Sequence, residues 1–102
     1  MSEVRLQRSP DGRVRIDGRL TFETVDKALL ERSRDALSGG SDLVIDLAGV
    51  AEGDSAGLAL MIEWRSWAVG EGRVITFENV PSSLLGIADI SDVSPILGLA
   101  RT

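Results

Sequence analysis

The run Leu43-Val44-Ile45-Asp46-Leu47, continued by Ala48 to Gly53 and then by Asp54-Ser55-Ala56-Gly57-Leu58-Ala59-Leu60, decides the fold of this chain. Its opening is short and nearly continuously apolar, which reads as a strand buried on both faces and therefore as the centre of a sheet. Ala48 to Gly53 reads as a loop. From Ala56 to Val69 the chain stays apolar for longer than a strand allows, so this segment is expected to be a helix, closed by Gly70 and Gly72. The first turns of that helix are apolar on nearly every side, and such a helix lies between two covering surfaces, one of which can belong to a partner. Residues just past the carboxyl end of a strand in an α/β sheet are where ligands and partners meet it, and Ser55 falls there.

Working outward, Val4, Leu6 and Val14, Ile16 alternate with polar residues around the turn sequence Ser9-Pro10-Asp11-Gly12, so the chain is expected to open with a β-hairpin whose arginines point outward. Asp17-Gly18 reads as the end of the second strand. From Thr21 to Leu37 the apolar residues Phe22, Val25, Leu29 and Ala36 recur at helical spacing, with Thr21 and Thr24 as N-cap candidates and Ser38-Gly39-Gly40 as the stop. Beyond the central helix, Arg73 to Phe77 is β-rich, Pro81 starts a short helix over Ser82 to Ala88, and Val93 to Leu99 is a weak strand or a last helical turn. The order β-β-α-β-α-β-α implies an α/β domain with a mixed sheet: an antiparallel opening hairpin, then parallel strands with right-handed crossovers, flanked by helices. A chain of 102 residues is one domain of ordinary size, and residues 1–102 are read as such.

Composition narrows the chemistry. The chain has no His, no Cys and no Tyr, which removes an imidazole base, a thiolate nucleophile, a disulfide and any His/Cys metal site. A net charge of −5 gives no electrostatic reason to expect nucleic acid. Apolar residues reach 43% and charged residues 26%, a globular balance that charge interrupts too often for a membrane span. Met1 to Pro10 lacks the apolar core of a signal peptide, so the cytoplasm is the expected compartment. No basic residue falls between Arg34 and Arg65, an interval holding Asp35, Asp42, Asp46, Glu52, Asp54 and Glu63. If those residues share a surface it is acidic and attracts a basic partner; otherwise they are solvated charges.

Asp54-Ser55 has two readings. Either residue can cap the first turn of the helix, worth about 1 kcal/mol, or the pair marks a partner-binding loop. A hydrolase is excluded because Ser55 has no histidine and no Gly-x-Ser-x-Gly frame, and Lys27, the single lysine, lies on the outer face of the first helix. No Gly-x-x-x-x-Gly-Lys phosphate cradle exists, and Asp46, Glu52 and Asp54 lack the spacing of a cation cage, so no metal or cofactor is expected. Trp64 and Trp67, preceded by Leu60, form one stripe of the helix, while Leu58, Met61, Ile62 and Arg65 form another; the tryptophans are either core or anchors of a protein interface.

Ile16-Asp17-Gly18-Arg19-Leu20, Val44-Ile45-Asp46-Leu47 and Asp54-Ser55-Ala56-Gly57-Leu58-Ala59-Leu60, with Gly72 and the Val74 to Val80 strand and turn, together resemble a STAS domain over almost the whole chain. Within that family the resemblance is to the MlaB-like subunits of phospholipid-transport ABC transporters. It implies a non-catalytic accessory subunit that binds and supports the transporter's ATPase subunit, cytoplasmic and peripheral to the inner membrane, with no small-molecule substrate, no cofactor and no membrane insertion. The implied partner-binding residues are Glu52, Asp54, Ser55, Ala56, Gly57, Leu60, Trp64 and Trp67. The alternative is an anti-sigma-factor antagonist controlled by serine phosphorylation. Those proteins carry a phosphorylatable Ser or Thr directly before the Gly, where this chain has Ala56, although Ser55 itself remains a candidate for phosphorylation.

Overall fold

A computed structural model describes residues 4–99. The chain runs β1 (Arg5–Arg8), β2 (Arg13–Leu20), α1 (Lys27–Leu37), β3 (Leu43–Gly53), α2 (Ser55–Gly70), β4 (Ile75–Glu78), α3 (Ser82–Ile90) and α4 (Ser94–Leu97). The four strands lie in the order β1-β2-β3-β4, with β1 antiparallel to β2 and the β2-β3 and β3-β4 pairs parallel. This is the expected mixed α/β sheet, with the hairpin register Leu6 opposite Ile16. The tail is a single helical turn ended by Gly98 in the left-handed region, not a strand.

The sheet is covered on one face only. Val14, Ile16, Leu20, Leu43, Ile45, Leu47, Val50 and Phe77 point into a core closed by Leu29 and Leu37 of α1, Leu58, Met61 and Trp64 of α2 and Leu84 of α3. The opposite face carries Arg13, Arg15, Asp17, Val44, Asp46, Thr76 and Glu78, all exposed or half-buried. The expectation that β3 is buried on both faces is therefore wrong: Val44 and Asp46 alternate with Leu43, Ile45 and Leu47 and face a charged outer surface. There Arg13 pairs with Glu78 and approaches Asp46 at 3.9 Å, and Arg15 pairs with Asp17 at 3.0 Å. Arg8 does not point outward with the other hairpin arginines. It crosses to the end of α1 and donates to the carbonyls of Ala36, Ser38 and Gly39, satisfying acceptors a helix end leaves open.

Ala48 to Gly53, read as a loop, extends β3. The register against β2 jumps between Arg15/Asp17 and again between Gly18/Arg19, so β3 bulges and loses its period of two. Leu47 and Val50 are both buried although three residues apart, a spacing that hides the strand from any alternation test. The carboxylate of Asp46 accepts from the amide of Ala48 at 3.0 Å, satisfying a donor the bulge displaces from the ladder. The same bulges let β2 continue through Asp17-Gly18, with Gly18 at φ 118°, instead of ending there.

The first helix begins later than its apolar spacing predicts. Asp26, not Thr21 or Thr24, caps it by accepting from the amide of Leu29 at 2.8 Å. Thr21 to Thr24 form a turn instead: the amides of Thr24 and Val25 donate to the Thr21 carbonyl at 3.0 and 2.8 Å, and the Thr21 amide donates to the Thr24 hydroxyl at 3.0 Å. The Thr24 hydroxyl, which also donates to the Arg19 carbonyl at 2.5 Å, offers the backbone a local partner in competition with helix. Phe22, expected on the buried stripe, is consequently 73% exposed.

Candidate functional site

The parallel strands β2 and β3 end side by side, with Leu20 opposite Gly53, so the turn after β2 and the start of α2 meet at one edge of the domain. The amide of Asp54 donates to the Leu20 carbonyl at 3.1 Å. The Asp54 carboxylate then serves two elements: Oδ1 accepts from the Ala56 amide at 2.9 Å, and Oδ2 accepts from the Phe22 amide at 3.0 Å. Of the two readings of Asp54-Ser55, the structure shows the cap, made by Asp54, whose carboxylate also ties the Phe22 turn to α2. Gly57 permits the close approach. A Cβ there would lie 2.4 Å from the Leu20 carbonyl oxygen, inside any tolerable contact. On the other side, the Gly53 amide donates to the Ser83 hydroxyl at 3.2 Å, which brings the N-terminus of α3 to the same edge.

Of the residues singled out in the sequence, Glu52 and Ser55 are exposed and Asp54, Ala56 and Trp67 half-buried. The Ser55 hydroxyl makes no hydrogen bond among the described residues, while Glu52 is held by Arg19 at 2.6 Å. Gly57, Leu60 and Trp64 are core: Leu60 is 2% and Trp64 1% exposed. They offer no surface to a partner, because both stripes of α2 contribute to the core. α2 sits on the sheet between α1 and α3, and its buried arc takes in Leu58 and Met61 as well as Leu60 and Trp64. Trp67 lies beneath the Arg34 guanidinium, 5.1 Å from the ring centroid, in a cation–π contact. That contact belongs to a cavity of about 340 Å³ bounded by the C-terminal parts of α1 and α2, distant from Ser55 along the helix.

The fully exposed residues of α2 form one continuous arc, Ser55, Ala59, Ile62, Glu63, Ser66, Val69 and Gly70, spaced as successive turns of one helical face. Among these only Glu63 is charged, and the half-buried Arg65 borders the arc. Phe22 extends this weakly polar strip beyond Ser55, and sequence reasoning missed it because its periodicity suited a buried helix. The six carboxylates of the basic-free interval do not share a surface. Asp42 immediately precedes β3 and accepts from the Val74 amide, Asp46 lies on the outer sheet face, and Glu52 and Asp54 lie at and just past the far end of that eleven-residue strand. At the site itself, Glu23 of the turn joins Glu52 through their shared partner Arg19, with Asp26 at the start of α1 and Glu63 further along α2. Asp46, Glu52 and Asp54 are not brought together, and among the described residues no group of three or more carboxylates is placed to hold a metal ion.

Comparison with known proteins agrees with this fold. The family model described as "Mlab, STAS domain" matches residues 4–98. The chain belongs to the MlaB-type STAS domain family. STAS domains are protein-interaction modules, and an exposed, weakly polar helix face beside a capped helix start suits that role. A solved structure described as "Crystal Structure Analysis of Mglu" is similar to this STAS domain over 78% of its length, with 25% sequence identity and a TM-score of 0.58. The match covers 20% of that chain, so the STAS domain here spans about a fifth of the longer protein. Comparison with curated proteins returns no match. Among the described residues no helix is long and apolar enough to cross a membrane.

Proposed function

We propose that this STAS domain, residues 1–102, is a non-catalytic accessory subunit of a phospholipid-transport ABC transporter of the Mla type, docking on the ATPase subunit and supporting its activity. The observation that carries the proposal is the exposed arc of α2. A helix whose opposite arc is core presents Ser55, Ala59, Ile62, Glu63, Ser66 and Val69 to solvent with one charge, Glu63, among them, and an exposed weakly polar face of this kind marks an interaction site. Membership of the MlaB-type family points to the ATPase as the cover. Glu52, Asp54, Ser55 and Ala56 then form the contact, Gly57, Leu60 and Trp64 hold the helix from beneath, and Trp67 lies outside its centre. The subunit needs no cofactor and acts in the cytoplasm, peripheral to the inner membrane through the complex.

The test is co-purification with the ATPase encoded beside it. Wild type is expected to co-purify and Ser55→Arg to be lost, because a long cation at an exposed central position blocks close approach without touching the core; retention of Ser55→Arg would remove this surface from consideration. Exposure of Ser55 also favours a second reading, a sigma-pathway antagonist modified at that hydroxyl. A phosphate beside Asp54 and Glu52 would repel them and break a contact, and mass spectrometry at Ser55 after incubation with an anti-sigma kinase distinguishes the two.

A further inference from the structure

We infer that Phe22 is the anchor of this docking surface and that the partner meets it with an apolar socket set in a basic surface. The inference rests on the docking reading above and adds a residue and a charge requirement to it. Phe22 is 73% exposed, and a phenyl ring left in water by a folded domain is a large unspent apolar area. It is also fixed in place. The Phe22 amide is held by Asp54 Oδ2 at 3.0 Å, and the turn behind it is closed by the Thr24 and Val25 amides on the Thr21 carbonyl. Ile90 is more exposed, at 86%, but sits at the C-terminal end of α3, whereas the N-terminus of α3 is the part that reaches this edge. A ring presented on a rigid turn loses little freedom when a partner covers it, and that is how interface anchors gain affinity.

Asp54 also sets where the ring lies. It bonds Phe22 and Ala56 with the two oxygens of one carboxylate, so the turn adjoins Ser55 and the strip continues along α2 through Ala59 and Ile62. The charges around it are unequal. Glu23, Asp26, Glu52, Asp54 and Glu63 outnumber Arg19, Lys27 and Arg65, and the one cation Arg19 is shared by Glu52 at 2.6 Å and Glu23 at 3.6 Å, which leaves that pair net negative. An apolar centre with an acidic rim fits a socket with a basic rim, since a like-charged surface would be repelled during approach.

The deciding measurement is calorimetric titration of the full chain into the purified ATPase subunit at low and at raised salt, with wild type, Phe22→Ser, Glu23→Lys and Ser55→Arg. The expected result is binding by wild type that weakens with salt, no binding by Ser55→Arg, weakening by Phe22→Ser of roughly thirtyfold, or about 2 kcal/mol, and weakening by Glu23→Lys that disappears at raised salt. If wild type binds, Ser55→Arg does not and Phe22→Ser binds within twofold of wild type, Phe22 is not an anchor although the docking surface stands. If binding is indifferent to salt and to Glu23→Lys, the basic rim is wrong. If wild type does not bind the ATPase at all, the docking reading fails and this inference with it.

Discussion

The turn carrying Phe22 and the middle of α2 carrying Trp64 make an instructive pair. Both hold a large aromatic on an apolar spacing that suits a helix facing a sheet. By sequence Phe22 belongs to the core, and Trp64 is as credible at an interface as in the core. In the structure Phe22 is 73% exposed and Trp64 is 1% exposed. What separates them is the backbone around each. The Thr24 hydroxyl, bonded to the Thr21 amide and to the Arg19 carbonyl, and the Thr21 carbonyl, bonded to the Thr24 and Val25 amides, hold a turn so that the helix does not start until Asp26, and Phe22 never joins the buried stripe. Trp64 sits where α2 is enclosed by the sheet and by neighbouring helices on both flanks. Burial of a side chain here follows the path of the backbone, and hydrophobicity alone assigns it to the wrong side.

The largest expected effect breaks the pair on stability. Trp64→Ala should cost about 3–5 kcal/mol, the usual range for truncating a buried aromatic, a large share of a small domain's total. Chemical denaturation should show it as a lower midpoint, while Phe22→Ser leaves the midpoint nearly unchanged because little of the ring is buried. Equal losses for the two would contradict the assignment of one to core and one to surface. Asp54→Ala should act on both regions at once. Losing the cap of α2 should destabilise by about 1 kcal/mol, or roughly 4–8 °C in melting temperature, and losing the Phe22 tether should weaken docking beyond what that destabilisation explains.

The smallest effect leaves both regions alone. On the outer sheet face the Asp46 carboxyl is held below the ordinary carboxylate range, first by the hydrogen bond from Asn79 Nδ2, then by the Ala48 amide and by Arg13 and Arg15, with desolvation opposing. A carboxyl lowered in the folded state contributes stability that is fully present above its unfolded value, near pH 4, and is lost as pH falls through the lower folded value. Wild type should therefore exceed Asp46→Asn in stability at neutral pH, and the gap should close on acidification below about pH 4. A gap that widened in acid would reverse the assigned direction. Docking at neutral pH should be the same for both, since Asp46 lies away from Ser55.

Much of the site was legible because it is local. That Asp54 or Ser55 caps α2, and roughly how far that helix runs, follow from a polar pair at the mouth of an apolar run; that the cap is Asp54 came from the structure. Phe22 was not legible, because its place depends on a carboxylate thirty-two residues away. The acidic surface expected from the basic-free interval failed for a related reason: a strand of eleven residues carries Asp42 and Asp54 to opposite ends of the sheet, on the order of 30 Å apart.

The sequence by itself determined the element order, the hairpin, the mixed sheet and the absence of histidine and cysteine chemistry, because alternation, helical spacing, turn residues and residue inventory are properties of neighbouring positions. The tertiary structure alone decided that the sheet is covered on one face, that β3 continues through its bulges, and which aromatic meets solvent. Each of these depends on how distant segments pack, and a linear pattern of apolar residues records how much must be buried without recording against what.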